Sequence, residues 1–179
     1  MNCPSCKNKL SRIYPGGIPT HTCKNGCGGF WIDQFHVRKI DDENASAGLK
    51  LLEVERAEGV RIFRDVEHVC PKCENTLLFR HFFNREWEVE VDQCGKCGGY
   101  WVDTGNFGCK ISQNPSADLI GPMAEKFFSI MFEEKIPQMD LQSEHILRAA
   151  RQIARIFLFI CPTEVLEKNP EWRKLSVFY

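Results

Sequence analysis

Cys94-Gly95-Lys96-Cys97-Gly98-Gly99-Tyr100-Trp101-Val102-Asp103 is the stretch that decides how this chain is read. A near copy lies upstream, Cys23-Lys24-Asn25-Gly26-Cys27-Gly28-Gly29-Phe30-Trp31-Ile32-Asp33. Each copy follows a Cys-Pro-x-Cys pair, Cys3-Pro4-Ser5-Cys6 and Cys70-Pro71-Lys72-Cys73. Eight of the ten cysteines thus fall into two sets of four. Two residues between paired cysteines let one tight turn aim both sulfurs at a single point, and four such soft ligands make a closed tetrahedral zinc site. The gap between the pairs is 16 residues in the first set and 20 in the second, enough for a hairpin. Glycines behind the second pair allow the close backbone from which N–H groups reach thiolates. The expected ligands are Cys3, Cys6, Cys23 and Cys27 for one zinc ion and Cys70, Cys73, Cys94 and Cys97 for a second. Cys23 and Cys27 have three residues between them, still within ordinary ligand spacing. His21 and His36 are the nearby alternatives to a sulfur.

Working outward, the repeat organises the whole chain. Cys3 and Cys70 are 67 positions apart, and Trp31 and Trp101 are 70 apart. Residues 1–40 read as a small β module: a strand over 10–14, a turn at Pro15-Gly16-Gly17, a return over 18–22, and a third strand over 28–32. Asp33 stands at a helix N-cap position. Residues 68–109 repeat the module with a longer hairpin around Asn84-Arg85. Its second strand alternates Trp87, Val89 and Val91 with Glu86, Glu88, Glu90 and Asp92, which predicts one buried and one wet face. Residues 41–67 read as a helical linker, with a helix over 47–58 closed by Gly59. Residues 110–179 read as a helical C-terminal region: one helix from Pro122 to about residue 135, a second from Ser143 to Cys161 ahead of Pro162, and a short turn after Thr163. The fold class is therefore small α+β, with two four-cysteine ribbons followed by helices.

The 179-residue chain is 43% hydrophobic and 26% charged, the balance of a soluble globular protein. Met1-Asn2-Cys3-Pro4 leads straight into the first pair, so no signal peptide is expected, and no apolar run approaches about 18 residues. A reducing, cytoplasmic setting is the expectation, where paired cysteines hold metal more often than disulfides. Net charge is −1, and two filled four-thiolate sites would take it to about −5. The distribution is uneven. Residues 1–40 hold six Lys/Arg against Asp33 alone, whereas the second module is net acidic.

Cys-Pro-x-Cys, a hairpin, then Cys-x-x-Cys-Gly-Gly-x-Trp-[Ile/Val]-Asp resembles the transcription factor IIB-type zinc ribbon in its bacterial form. The resemblance covers residues 3–37 and 70–107. It implies a three-stranded antiparallel ribbon with one zinc between two knuckles, and it carries the ligand roles to the eight cysteines named above. The family continues after the Asp with x-Gly-Glu-Leu. Here the two copies read Gln34-Phe35-His36-Val37 and Thr104-Gly105-Asn106-Phe107, and neither keeps the Glu.

All-cysteine sites leave no open position for substrate or activated water. The five histidines show no spacing with acids that suggests a triad, so no enzyme is expected. Cys161 reads as a buried small residue, and Cys109 as a leftover thiol. The chain reads first as a non-catalytic zinc-binding module that docks a protein partner. An alternative is a nucleic-acid or RNA-polymerase-associated factor working through Lys7, Lys9, Arg12, Lys24, Arg38 and Lys39. Ribbons of this type are also fused to bacterial membrane proteins, including rhomboid-type proteases. That resemblance, with the apolar end Leu175-Ser176-Val177-Phe178-Tyr179, implies a third reading: the soluble regulatory portion of a larger membrane protein. The helix over 143–161 carries Ile146, Ala150, Ile153, Phe157 and Ile160 on one stripe, widened by Leu147, Ala154 and Leu158. Three roles fit it: packing within the chain, docking a partner or a second copy, or lying on a membrane surface.

Overall fold

The computed structural model describes residues 1–41, 43–60, 66–84, 89–103, 144–163 and 167. Six strands form one antiparallel sheet: β1 Ser11–Ile13, β2 Thr20–Thr22, β3 Phe30–Ile32, β4 Leu78–Asn84, β5 Val89–Cys94 and β6 Tyr100–Asp103. Among the described residues the sheet is accompanied by α1 Gln34–Val37 and α2 Glu144–Ile160. The class is small α+β. The expected helix from Pro122, the stretch around Trp87 and Cys109, and the apolar end lie outside the described residues.

The strand order is β1-β2-β3-β6-β5-β4, so the two ribbons join through their third strands. The register is Phe30 with Val102, Trp31 with Trp101 and Ile32 with Tyr100. Residues at equivalent places in the two copies thus exchange partners about the Trp31–Trp101 pair, which makes the sheet pseudo-two-fold symmetric. Strand alternation then sorts the side chains. Trp31 and Trp101 point to the face that carries the cysteine clusters. Phe30, Ile32, Tyr100 and Val102 point to the opposite face, where they form one core with Val37, Leu51, Leu52 and α2.

Of the roles open to the stripe on α2, the structure realises packing within the chain. Ala150, Ile153, Ala154, Phe157, Leu158 and Ile160 are all buried, while Arg148 is exposed and Arg151 and Arg155 are half-buried. These six side chains are taken up within the chain and are not available to a second copy. Burying each large apolar side chain contributes about 1.5–3 kcal/mol, so this helix anchors both ribbons from one side. A polar bond fixes its register: the Tyr100 hydroxyl donates to Gln152 Oε1 at 2.6 Å, and both groups are buried. Among the described residues, no helix is long and apolar enough to cross a membrane.

The linker differs from the expected helix over 47–58. It is a chain of turns with a single 3-10 turn at Leu49–Leu51. Long-range bonds take the place of helical ones. Ser46 N–H donates to the Leu158 carbonyl at 3.0 Å, and Gly48 N–H to that of Phe159 at 2.8 Å. These carbonyls belong to the last turn of α2, where a helix leaves acceptors unsatisfied. Gly48 is required there, because a Cβ would sit 2.5 Å from the Phe159 ring. Further on, Asn25 N–H donates to the Glu55 carbonyl at 3.0 Å and Ala57 N–H to that of Gly26 at 3.2 Å. Tertiary bonding has overridden helix propensity.

Candidate metal centre

Each ribbon brings its four cysteines together at one end. The Cys3–Cys6 turn precedes β1, and the Cys23–Cys27 turn joins β2 to β3. The second ribbon does the same with Cys70–Cys73 and Cys94–Cys97. Within each set all four sulfurs lie within 4.8 Å of one another. Cys3 and Cys27 sulfurs are 3.4 Å apart, Cys6 and Cys23 3.4 Å, and Cys70 and Cys97 3.7 Å. A tetrahedron with zinc–sulfur bonds of about 2.3 Å has sulfurs about 3.8 Å apart, and a disulfide would need about 2 Å. The clusters fit the metal and not the bond. His21 and His36 lie outside them.

The backbone of each knuckle is turned toward sulfur. Cys6 N–H points at Cys3 Sγ at 3.4 Å and Cys73 N–H at Cys70 Sγ at 3.3 Å. Gly28 and Gly98 sit at φ of 82° and 67°, the left-handed region that a side chain would resist. Without a cation the thiols cannot share much negative charge. Hydrogen bonds from Cys27 and Cys3 hold the Cys23 thiol down at about 2, and the same crowding pushes Cys27 and Cys3 well above the ordinary range. In the second set burial pushes Cys97 up to about 11 and Cys70 up as well. Burial raises Cys94, but the N–H groups of Cys97 and Lys96 together with hydrogen bonds from the Cys70 and Cys97 thiols lower it overall. A divalent cation relieves this mutual repulsion.

Around the clusters lies a polar layer that joins the ribbons. The Trp101 indole N–H donates to Ser5 Oγ at 3.0 Å, and Ser5 donates to Asp103 Oδ2 at 3.2 Å. At the pseudo-symmetric place stands Lys72, whose ammonium bonds Asp33 at 2.8 Å. Among the described residues the Trp31 indole N–H has no hydrogen-bond partner there, although it is buried. Asp33 does occupy the N-cap position of α1, but its side chain makes no cap bond. Each tryptophan ring lies across the other ribbon's glycine, Trp101 over Gly29 and Trp31 over Gly99.

One group departs from the alternation read in β5. Asp92, expected on a wet face, is buried and accepts from His68 Nδ1 at 2.7 Å and Arg80 Nε at 3.2 Å. That face is the one covered by tryptophans and cysteines. His68 and Asp92 each stand two residues before a cysteine of the second set. This position was the only signal in the sequence. Gln152 was also missed, hidden in an apolar stripe.

Two paired knuckles closing on a four-thiolate cluster at the end of a three-stranded antiparallel sheet define a zinc-binding ribbon module. Residues 2–40 and 69–107 match the family model described as transcription factor zinc-finger, the transcription factor IIB-type zinc ribbon. The chain carries two tandem copies of that ribbon, and the clusters are compatible with two zinc ions. No curated protein and no solved structure matches the chain.

Proposed function

We propose that this protein is a non-catalytic, zinc-dependent docking module for a protein partner. Its ribbons span 1–40 and 68–109, joined by the linker 41–67 and followed by the C-terminal region 110–179. The eight cysteines of the two clusters serve as the zinc ligands. Zinc here supplies cross-links, since four thiolates fill its coordination. The observation that carries the docking reading is the start of the outer strand β4 and the residue before it. Leu77 and Phe79, one step apart on one face, are 46% and 62% exposed. Through Gln93, Phe79 continues the row of Tyr100 and Ile32 on the face that α2 covers. The covered face thus ends in an apolar step left in water. Exposed apolar steps on a sheet edge suit a protein partner. The test is capture from cell extract by the zinc-loaded protein and by the Leu77→Ser, Phe79→Ser double variant. A partner retained by the parent and lost by the variant at equal zinc content supports the reading. Equal retention refutes it.

A further inference from the structure

The first ribbon carries a different surface. Of its charged groups, the one carboxylate, Asp33, is taken by Lys72 at 2.8 Å. Lys72 belongs to the Cys70–Cys73 knuckle, so this bond ties Asp33 to the second cluster. Lys9, Arg12, Lys24, Arg38 and Lys39 are exposed, and among the described residues none meets a carboxylate. Six cations, one carboxylate and a four-thiolate zinc site leave this ribbon at roughly +3.

Two large rings stand among these cations. Tyr14 is 57% exposed with the Arg12 guanidinium 5.1 Å from its ring centre, and Phe35 is 64% exposed with Lys39 Nζ 4.4 Å from its own. β1 and β3 both run antiparallel to β2. Their C-terminal ends therefore lie at the same end of the ribbon, two strand spacings or about 9.5 Å apart. Tyr14 follows one and Phe35 follows the other, at the end away from the ribbon's own cysteines. His36, its ring 5.6 Å from that of Phe35, is lowered first by burial; Asp33 raises it, and Lys39, Arg12 and Lys72 lower it further, so those cations act on one place.

The geometry points to a single-stranded nucleic-acid site at this end of the first ribbon, with bases stacked on Tyr14 and Phe35 and phosphates met by Arg12, Arg38 and Lys39. Flat rings next to cations are what unpaired bases and their backbone need, and stacking tolerates any sequence. A duplex offers no unstacked base, and α1, at four residues, is too short to read a major groove. An acidic peptide would use the cations and leave both rings in water. The surface lies on the ribbon opposite to Leu77 and Phe79, so it stands or falls independently of the docking edge.

The experiment is fluorescence anisotropy of labelled mixed-sequence single-stranded oligonucleotides with the full zinc-loaded chain, at several salt concentrations. Tyr14→Ala and Phe35→Ala should each weaken binding about tenfold or more. Arg12→Gln and Lys39→Gln should each lower the salt slope by about 0.7. Both rings are exposed, so zinc content and circular dichroism should match the parent. No binding at low salt overturns the proposal. So does binding that survives both ring substitutions, or binding that polyglutamate displaces as well as unlabelled oligonucleotide does.

Discussion

Gly99→Ala should cost far more than a methyl group normally does. Gly99 is buried under the Trp31 ring, and a Cβ there would overlap Cζ2, with Cη2 at 2.8 Å and Cε2 at 2.9 Å. Ordinary carbon contacts begin near about 3.5 Å, so the buried indole would have to move by more than about half an ångström. It has little room to do so. Trp101 lies beside it in register, and both rings belong to the core that holds the cysteines. Overpacking a dense interior costs about 1–3 kcal/mol, and a rigid ring with strand backbone on the other side belongs at the top of that range. Gly95→Ala is the control. Its Cβ would lie 2.9 Å from Phe79 Cε2, but that ring is 62% exposed and can swing away. Urea unfolding of the zinc-loaded proteins, followed by tryptophan fluorescence, should show a lower midpoint that corresponds to a stability loss of about 2–3 kcal/mol for Gly99→Ala and well under about 1 kcal/mol for Gly95→Ala. Gly29→Ala, beneath Trp101, should behave like Gly99→Ala. Equal midpoints for Gly99→Ala and Gly95→Ala would refute the reciprocal packing of tryptophan on glycine.

Elemental analysis of the reduced protein should find two zinc ions per chain. Cys97→Ser should leave one, and amide spectra should then shift in α2 as well as in the second ribbon, because Tyr100 and Val102 belong to the core of α2. Unchanged α2 amides would contradict the shared core. Full chelation should unfold the sheet, since structural zinc supplies an apparent ~10–16 kcal/mol in small zinc-finger peptides, comparable to the whole stability of a domain. Arg56→Ala should speed zinc loss from the first site about tenfold or more and leave the second unaffected. The segment carrying Arg56 bridges the Gly26 knuckle, and its side chain lies against Gly28. Release of both ions at parental rates, measured with a chromogenic chelator, would show that this segment does not guard the metal.

The two metal clusters were legible in the sequence because ligand geometry is local. A Cys-x-x-Cys turn carries its own sulfur placement, so spacing alone pairs Cys3 with Cys6 and Cys94 with Cys97. The three strands of each ribbon, the position of α1 after Asp33 and the span of α2 were legible for the same reason: turns, caps and periodicity act over a few residues. What the tertiary structure decided is where those pieces meet. Nothing in either repeat states that β3 and β6 pair, because an exposed strand edge has no preferred partner until another ribbon offers matching register. Once they pair, Gly29 and Gly99 become seats for tryptophans, and α2 gains a sheet broad enough to bury its stripe. Asp92 is buried inside its own ribbon, by His68 and Arg80, contacts that strand alternation does not state. The linker lost its expected helix to the same cause. Free carbonyls at the end of α2 and free groups on the first knuckle bind residues 46–57 more strongly than a helix of that composition can hold itself together. Local chemistry fixes the metal sites, whereas the pairing of two like edges, a property of neither ribbon alone, fixes the architecture around them.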